Sequence, residues 1–330
     1  MITRRRVVLA LGASAFAESL ASFAQQQGRV WRVGFLAQRH VDFVDADNYY
    51  GPFTQGMREL DYVVGKNLVI EWRSAEGKSE RLPELAAELV RLKVDVLATA
   101  GTPASIAAQK ATTALPIVMI GVADPVGSGL VKSLARPGGN STGLSTMNAD
   151  LDPKRLEMLR GMAPKVTRVA VLVNPTNASH ALGLQDIQAA AQKLGVKILP
   201  VEASSPQEIA NGFAAMARQN AGALIVLLDP LFQQQKSQIV ELAAKQRLPS
   251  IGGYSEYVEA GGLMSYGQNI RENYRRAATY VDKILKGANP GDIPVEQPMT
   301  FELFINRKTA NALGLKISNT MLVQATKVIQ

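Results

Sequence analysis

The residues best suited to chemistry fall into four short junctions: Thr102-Pro103, Asp124-Pro125, Asn174-Pro175 and Asp229-Pro230. Each follows an apolar, strand-like run, and each puts a short polar side chain before a proline. That order suits a helix start, because the side chain accepts a bond from a free backbone N–H and proline tolerates the first turn. Capping alone explains each junction singly, but together they offer more. The Gly101 turn with Thr102 presents backbone N–H groups and the positive end of a helix to an anion such as a carboxylate. Asp124 and Asp229 offer the opposite polarity, suited to an ammonium or to hydroxyl donors, and Asn174, Asn177 and Ser179 add neutral donors and acceptors. Such a set describes a binding site for a zwitterionic or multiply polar small molecule. Gln38, just past the first predicted strand, joins the candidates, as do Pro103 and Ala104 beside Thr102. Among the aromatic residues Tyr49, Tyr50, Tyr254, Tyr257 and Tyr266, one or two are expected to touch a ligand, with Tyr254 the candidate, and the rest to pack half-buried. His40 reads as a solvated loop residue.

Other chemistries lack their residues. No GxGxxG follows a strand; Gly127-Ser128-Gly129 has Lys132 where the last glycine should stand, and neither a Walker A loop nor a GxSxG elbow occurs. Cysteine is absent, which removes disulfides, thiolate metal sites, a cysteine nucleophile and the lipid-accepting cysteine of a lipoprotein. The two histidines, His40 and His180, lack the spacing of a zinc pair. The expectation is therefore no metal, no cofactor and no catalytic group. The formal charge of +8 is scattered apart from an N-terminal run, so no nucleic-acid partner is expected.

Elements able to position these junctions are legible in the hydrophobic rhythm. A chain of 330 residues normally divides into two domains. From Trp31, short β-branched runs alternate with amphipathic stretches, which is the pattern of βαβ units and a parallel sheet covered on both faces. Strands are predicted at 32–37, 68–72, 94–98 and 117–121, with helices at 50–61, a stretch capped by Ser79, and 103–112. Turn-forming residues at Arg136-Pro137-Gly138-Gly139-Asn140 break the rhythm before a second series. Its predicted strands are 168–173, 197–201, 223–228, 250–252 and 263–266, and its helices 153–162, 182–194, 206–218, 233–246 and 271–286. The fold class expected is α/β, two Rossmann-like lobes with parallel sheets joined by a hinge. Ligands of such sheets bind beyond the carboxyl ends of the strands, where the four junctions lie.

Ahead of this pattern, Arg4-Arg5-Arg6 precede an apolar run from Val7 to Ala17, and Ser22-Phe23-Ala24 has the small residues of a signal-peptidase site. Residues 1–24 are read as a signal peptide, of the Sec or the twin-arginine type, cleaved before Gln25. Losing three arginines and Glu18 from +8 leaves the mature chain at +6.

Several longer segments carry a family resemblance: Gly56-Met57-Arg58-Glu59-Leu60-Asp61-Tyr62 with Gly65-Lys66-Asn67, Gly101-Thr102-Pro103-Ala104, Asp124-Pro125-Val126-Gly127, Ala135-Arg136-Pro137-Gly138-Gly139-Asn140, Asp229-Pro230-Leu231-Phe232 and Glu259-Ala260-Gly261-Gly262-Leu263-Met264-Ser265-Tyr266-Gly267. They resemble the ABC transporter substrate-binding family that includes TrpX-like proteins, from about Trp31 to the end. The resemblance implies a type I periplasmic binding fold, with residues 31–145 plus about 267–292 as lobe 1 and 146–266 plus about 293–330 as lobe 2. It implies that Thr102 helps hold a ligand carboxylate and Asp229 an ammonium. Where such relatives carry an amide after that acid, this chain has Pro230, so an amino-acid ligand is one expectation among small polar solutes. The expected partners are the solute and an inner-membrane permease, the expected location the periplasm, and the expected state a monomer. A ligand-sensing module and an enzyme on the same fold are the alternatives, the first disfavoured because a signal peptide stands where a DNA-binding helix-turn-helix would.

Overall fold

The computed structural model describes residues 29–39, 50–146, 148–297 and 300–330. The predicted signal peptide, His40 and Tyr49 lie outside the described residues.

Two sheets organise the chain. The first contains β1 (Trp31–Ala37), β2 (Leu68–Ser74), β3 (Val96–Ala100), β4 (Ile117–Val122) and β5 (Ser141–Ser145), in the order β2-β1-β3-β4-β5, all parallel. Helices α1 (Gly51–Glu59), α2 (Leu82–Arg91) and α3 (Gly101–Ala111) connect these strands. Strands β1, β3 and β4 are buried along nearly their whole length because helices cover both faces, which is why they read as largely apolar runs. Ser79 does not cap the following helix as expected. It opens a short 3-10 turn, and its Oγ accepts a bond from Gln38 Nε2 at 2.7 Å.

The second sheet contains β6 (Arg168–Val173), β7 (Lys197–Glu202), β8 (Ala223–Val226), β9 (Ser250–Gly252), β10 (Met264–Gly267), β11 (Glu302–Asn306) and β12 (Lys327–Ile329). Their order is β12-β11-β10-β9-β8-β6-β7, and only β10 with β11 runs antiparallel among the described pairs. Around it lie α4 (Asn148–Met162), α5 (Ser179–Leu194), α6 (Pro206–Arg218), α7 (Pro230–Gln234), α8 (Lys236–Lys245) and α9 (Ser255–Glu259). The single helix predicted at 233–246 is two, because Asp229 starts a short helix that ends at Gln235 before α8 begins.

A long helix, α10 (Ile270–Leu285), leaves the second sheet at Gly267 and returns to the first. Tyr274, Ala277, Ala278, Val281, Ile284 and Leu285 recur three or four residues apart, and they enter the same core as Phe53, Met57 and Phe35. Ile293 and Val295 also pack in the first lobe, where Glu296 N–H donates to Gly143 O at 2.9 Å. The chain then rejoins the second sheet as β11, followed by α11 (Arg307–Ala312), α12 (Asn319–Gln324) and β12. Three passes between the sheets result, and the two halves form a type I periplasmic binding architecture with the carboxyl ends of their strands facing one another.

Near the second pass, Arg155 of α4 is fully buried and donates through Nε to Tyr266 O at 2.8 Å while pairing with Asp152. Burial pushes the Asp152 carboxyl above its ordinary range, against the pull of Arg155. The guanidinium thus fastens α4 to the strand from which the chain crosses.

Close approach of α1 and α10 depends on Gly56, where a Cβ would sit 2.3 Å from Arg275 O. Gly56→Ala should cost about 1–3 kcal/mol and lower Tm, whereas Gly139→Ala, which meets nothing within 4 Å, should stay within about 0.5 kcal/mol of the parent. Thermal melting checks this, and equal effects at both positions would remove α10 as the element that ties the returning segment to the first lobe.

Candidate functional site

The cleft between the sheets holds about 460 Å³ of atom-free space, the open solvent at its mouth included, and is lined from both lobes. One wall comes from the first lobe: Ala100, Gly101 and Thr102 at the end of β3, and Ile120, Gly121 and Ala123 at the end of β4. The opposite wall is Asn177 with Leu228, Asp229, Pro230 and Gln233. Arg39, Tyr50, Ile270 and Tyr274 complete the lining.

On the first wall, α3 begins at Gly101, whose φ of +83° turns the chain sharply out of β3. Thr102 therefore lies inside the first helical turn rather than capping it, and its Oγ1 accepts a bond from Ala123 N–H at 3.3 Å. The N–H groups of Gly101 and Thr102 in the first turn have no partner within the helix, and Pro103 has none to offer, so this end of α3 carries partial positive charge. An anionic group in the cleft would meet it directly.

The second wall is built around Asp229, which is fully buried. Its Oδ1 accepts bonds from Leu231 N–H at 2.8 Å, capping α7, and from Asn174 Nδ2 at 3.2 Å. Oδ2 accepts from Asn177 Nδ2 at 2.8 Å. Both asparagines are themselves held: Asn174 Oδ1 by Thr176 N–H at 3.0 Å, and Asn177 Oδ1 by Ser179 Oγ at 2.8 Å. His180 receives Asn174 N–H on Nδ1 at 2.8 Å, which leaves its proton on Nε2 facing Leu228 O at 3.2 Å, with Asp229 Oδ2 at 3.9 Å. The result is a pre-arranged carboxylate facing the positive end of α3.

An aromatic surface closes one side. Tyr50 and Tyr274 meet edge to face at 5.2 Å, and behind them Phe35 contacts Tyr50, Phe53 and Trp72 at ring separations of 4.4–5.3 Å. Burial raises the Tyr50 phenol to about 12, with Arg39 acting in the opposite sense, so this hydroxyl stays protonated in neutral solution.

Thr102, Asn177 and Asp229 of the sequence-derived set thus converge on the cleft, with Asn174 and Ser179 buried in direct support. The others do not line it. Asp124 Oδ1 accepts from Val126 and Gly127 N–H, closing its own loop. Ala104 packs in the first-lobe core, and Pro103 borders an outer groove with Ser79, Ile106 and Thr176. Tyr254 is buried, donates to Phe232 O at 3.1 Å and faces a neighbouring chamber. Gln38 lies buried behind Arg39, bonded to Ser79. Sequence reasoning missed Arg39, Gln233, Ile270, Tyr274 and the supporting His180. Only Arg39, next to Gln38 after β1, carried a signal in its position. Among the described residues no group of three or more His, Asp or Glu is placed to hold a metal, and no helix is long and apolar enough to cross a membrane.

The two walls touch. Arg39 Nη1 lies 3.5 Å from Gln233 Oε1, Thr176 Oγ1 lies 3.4 Å from Ser79 Oγ, and a Cβ on Gly101 would stand 3.3 Å from Pro230 Cγ. These contacts define a closed arrangement.

A hinged pair of α/β lobes with a polar interlobe cleft is the form of a periplasmic solute receptor. Residues 41–329 match the family described as ABC transporter substrate binding protein, and the chain belongs to that family. It is 27% identical over 276 residues to a tyrosine-binding protein of Clostridioides difficile strain R20291, covering 84% of this chain and 79% of that one. It is similar to the ABC domain from Streptococcus pneumonia in complex with L-Trp, at 27% identity and a TM-score of 0.83, covering 91% of this chain and all of the other. Against the ligand-free, open structure of a substrate binding protein with adhesive properties from Clostridium difficile, 25% identical over the same share of both chains, the TM-score falls to 0.62. At nearly equal identity, the higher similarity to the ligand-bound structure agrees with the closed contacts.

Gly101→Ala adds a methyl at a left-handed backbone position and presses it toward Pro230. The variant should show weaker ligand binding by calorimetry and a larger radius of gyration by solution scattering with ligand present. Parent-like values in both would mean that this contact does not limit closure.

Proposed function

We propose that this substrate-binding protein carries an amino acid, with an aromatic side chain preferred, to its ABC importer from outside the cytoplasmic membrane. The single observation that supports this reading most is the opposition of Asp229 to the N-terminal turn of α3 across one cleft. A zwitterion presents an ammonium and a carboxylate, the two polarities those facing walls receive, and the Tyr50–Tyr274 surface suits a ring. The tyrosine-binding relative and the L-Trp complex support the same class. In this reading Thr102 helps hold the carboxylate, Asp229 with Asn174 and Asn177 holds the ammonium, and Gln38 and Ser179 steady the residues around them. Binding proceeds without turnover, by a monomer that engages no nucleic acid. Lobe 1 is residues 31–145 plus about 267–292 with Ile293 to Glu296 packed onto it, lobe 2 is the remainder from 146, and the passes between them flex as the lobes close on the solute.

A thermal-shift screen of amino acids, organic acids and small sugars tests the ligand class, since a ligand of the native state raises stability by mass action. L-tyrosine or L-tryptophan should raise Tm most; a response confined to sugars would overturn the reading. Thr102→Ala and Asp229→Ala should each weaken binding of the identified solute by roughly tenfold or more, the loss of a charge-assisted hydrogen bond, while melting cooperatively. Full affinity in both variants would contradict the assignment.

Residues 1–24 are proposed as a Sec or twin-arginine signal, leaving a free periplasmic protein with no lipid anchor. Mass spectrometry of the exported chain should find Gln25 at its N-terminus, and a retained Met1 in the periplasmic fraction would count against export by this segment.

A further inference from the structure

Beside the cleft lies a second chamber with about 780 Å³ of atom-free space including its mouth. Arg39 and Gln233 line both spaces and touch each other, so this pair stands at the boundary between them. The chamber spans the lobes: Arg271 comes from the start of α10, which packs on the first sheet, and Lys236 from the start of α8 on the second. Both are half-buried, and among the described residues neither makes an ion pair. Long cationic side chains cover their stems and keep the charged head toward open space, which turns both charges to the chamber. Two of them facing one space from opposite lobes, with Arg39 at its inner end, form a place for negative charge. The Glu256 and Glu259 carboxylates line the chamber as well, and neither forms an ion pair with Lys236 or Arg271. The carboxyl of Glu302, raised chiefly by burial, is pushed further up by Glu256, so that side is already crowded with acid. An incoming anion is directed to Lys236 and Arg271.

We propose that this chamber is an extension of the solute cleft that takes an anionic group, a carboxylate or a phosphate, bridging Arg271 of one lobe and Lys236 of the other. The inference rests on the amino-acid reading of the cleft for one of its two sources, a group carried on the far end of the cleft ligand; the other source is a free small anion. In either case the anion is bound fully only when the lobes meet, so it adds to the stability of the closed form.

Calorimetry and thermal shift on the full mature chain distinguish the sources. The probes are L-tyrosine, O-methyl-L-tyrosine, O-carboxymethyl-L-tyrosine, O-phospho-L-tyrosine and inorganic phosphate, at constant ionic strength. If the ligand supplies the anion, the carboxymethyl and phospho derivatives bind roughly tenfold tighter than the O-methyl compound. That ratio collapses in Lys236→Gln and Arg271→Gln and is largely kept in Lys236→Arg. If a free anion fills the chamber, phosphate alone raises Tm in the parent and not in the two glutamine variants. Failure of every tyrosine derivative to bind would count against the amino-acid reading, and the phosphate arm would still decide the chamber. No advantage for the charged derivatives together with no variant-sensitive phosphate shift, or an advantage that survives both glutamine substitutions, overturns the proposal.

Discussion

Burying the Asp229 carboxylate is the constraint around which the second lobe's face is arranged. A carboxylate taken out of water costs several kcal/mol unless its oxygens are satisfied. Here a helix N–H and two asparagine amides satisfy it, and each amide is fixed in turn by Thr176 or by Ser179. His180 completes the scaffold by accepting the Asn174 backbone N–H. The outcome is a negative charge whose position is set before any ligand arrives, which lowers the ordering cost of binding.

That charge gains a counterpart only across the cleft. The positive end of α3 belongs to the other lobe, and the left-handed Gly101 lets it approach Pro230 without a side chain in between. A solute with both polarities therefore has more to gain from the closed arrangement than from either lobe alone. Such differential affinity is what drives a hinge shut. Arg39 and Gln233, and Ser79 and Thr176, then meet as the direct contacts of closure.

Much of this was legible in the sequence, and the exceptions have physical causes. β6 and α6 declare themselves, the first by the unbroken apolar run Val169 to Val173 and the second by Ser205 capping Glu208 N–H ahead of an amphipathic stretch. β5 does not, because Ser-Thr-Gly-Leu-Ser carries no hydrophobic pattern. It is a strand because Gly143 lets it lie against Met119 and because Thr142 Oγ1 donates to Ile293 O, 151 residues away in sequence. In the site, Thr102, Asn177 and Asp229 could be found because each belongs to a strand-end junction. Tyr274 and Ile270 could not, since their place depends on the return of α10 to the first lobe. Asp124 shares the junction pattern, yet its carboxylate is used by its own turn.

Closure on a solute is best measured directly between the lobes, and a chain with no native cysteine permits clean spin labelling. Lys110→Cys on the first lobe and Ser204→Cys on the second flank the outer groove of the cleft. Pulsed electron resonance should give one short, narrow distance distribution with the identified solute bound, matching the closed arrangement, and a longer, broader one without it. The same distribution in both states would contradict the account.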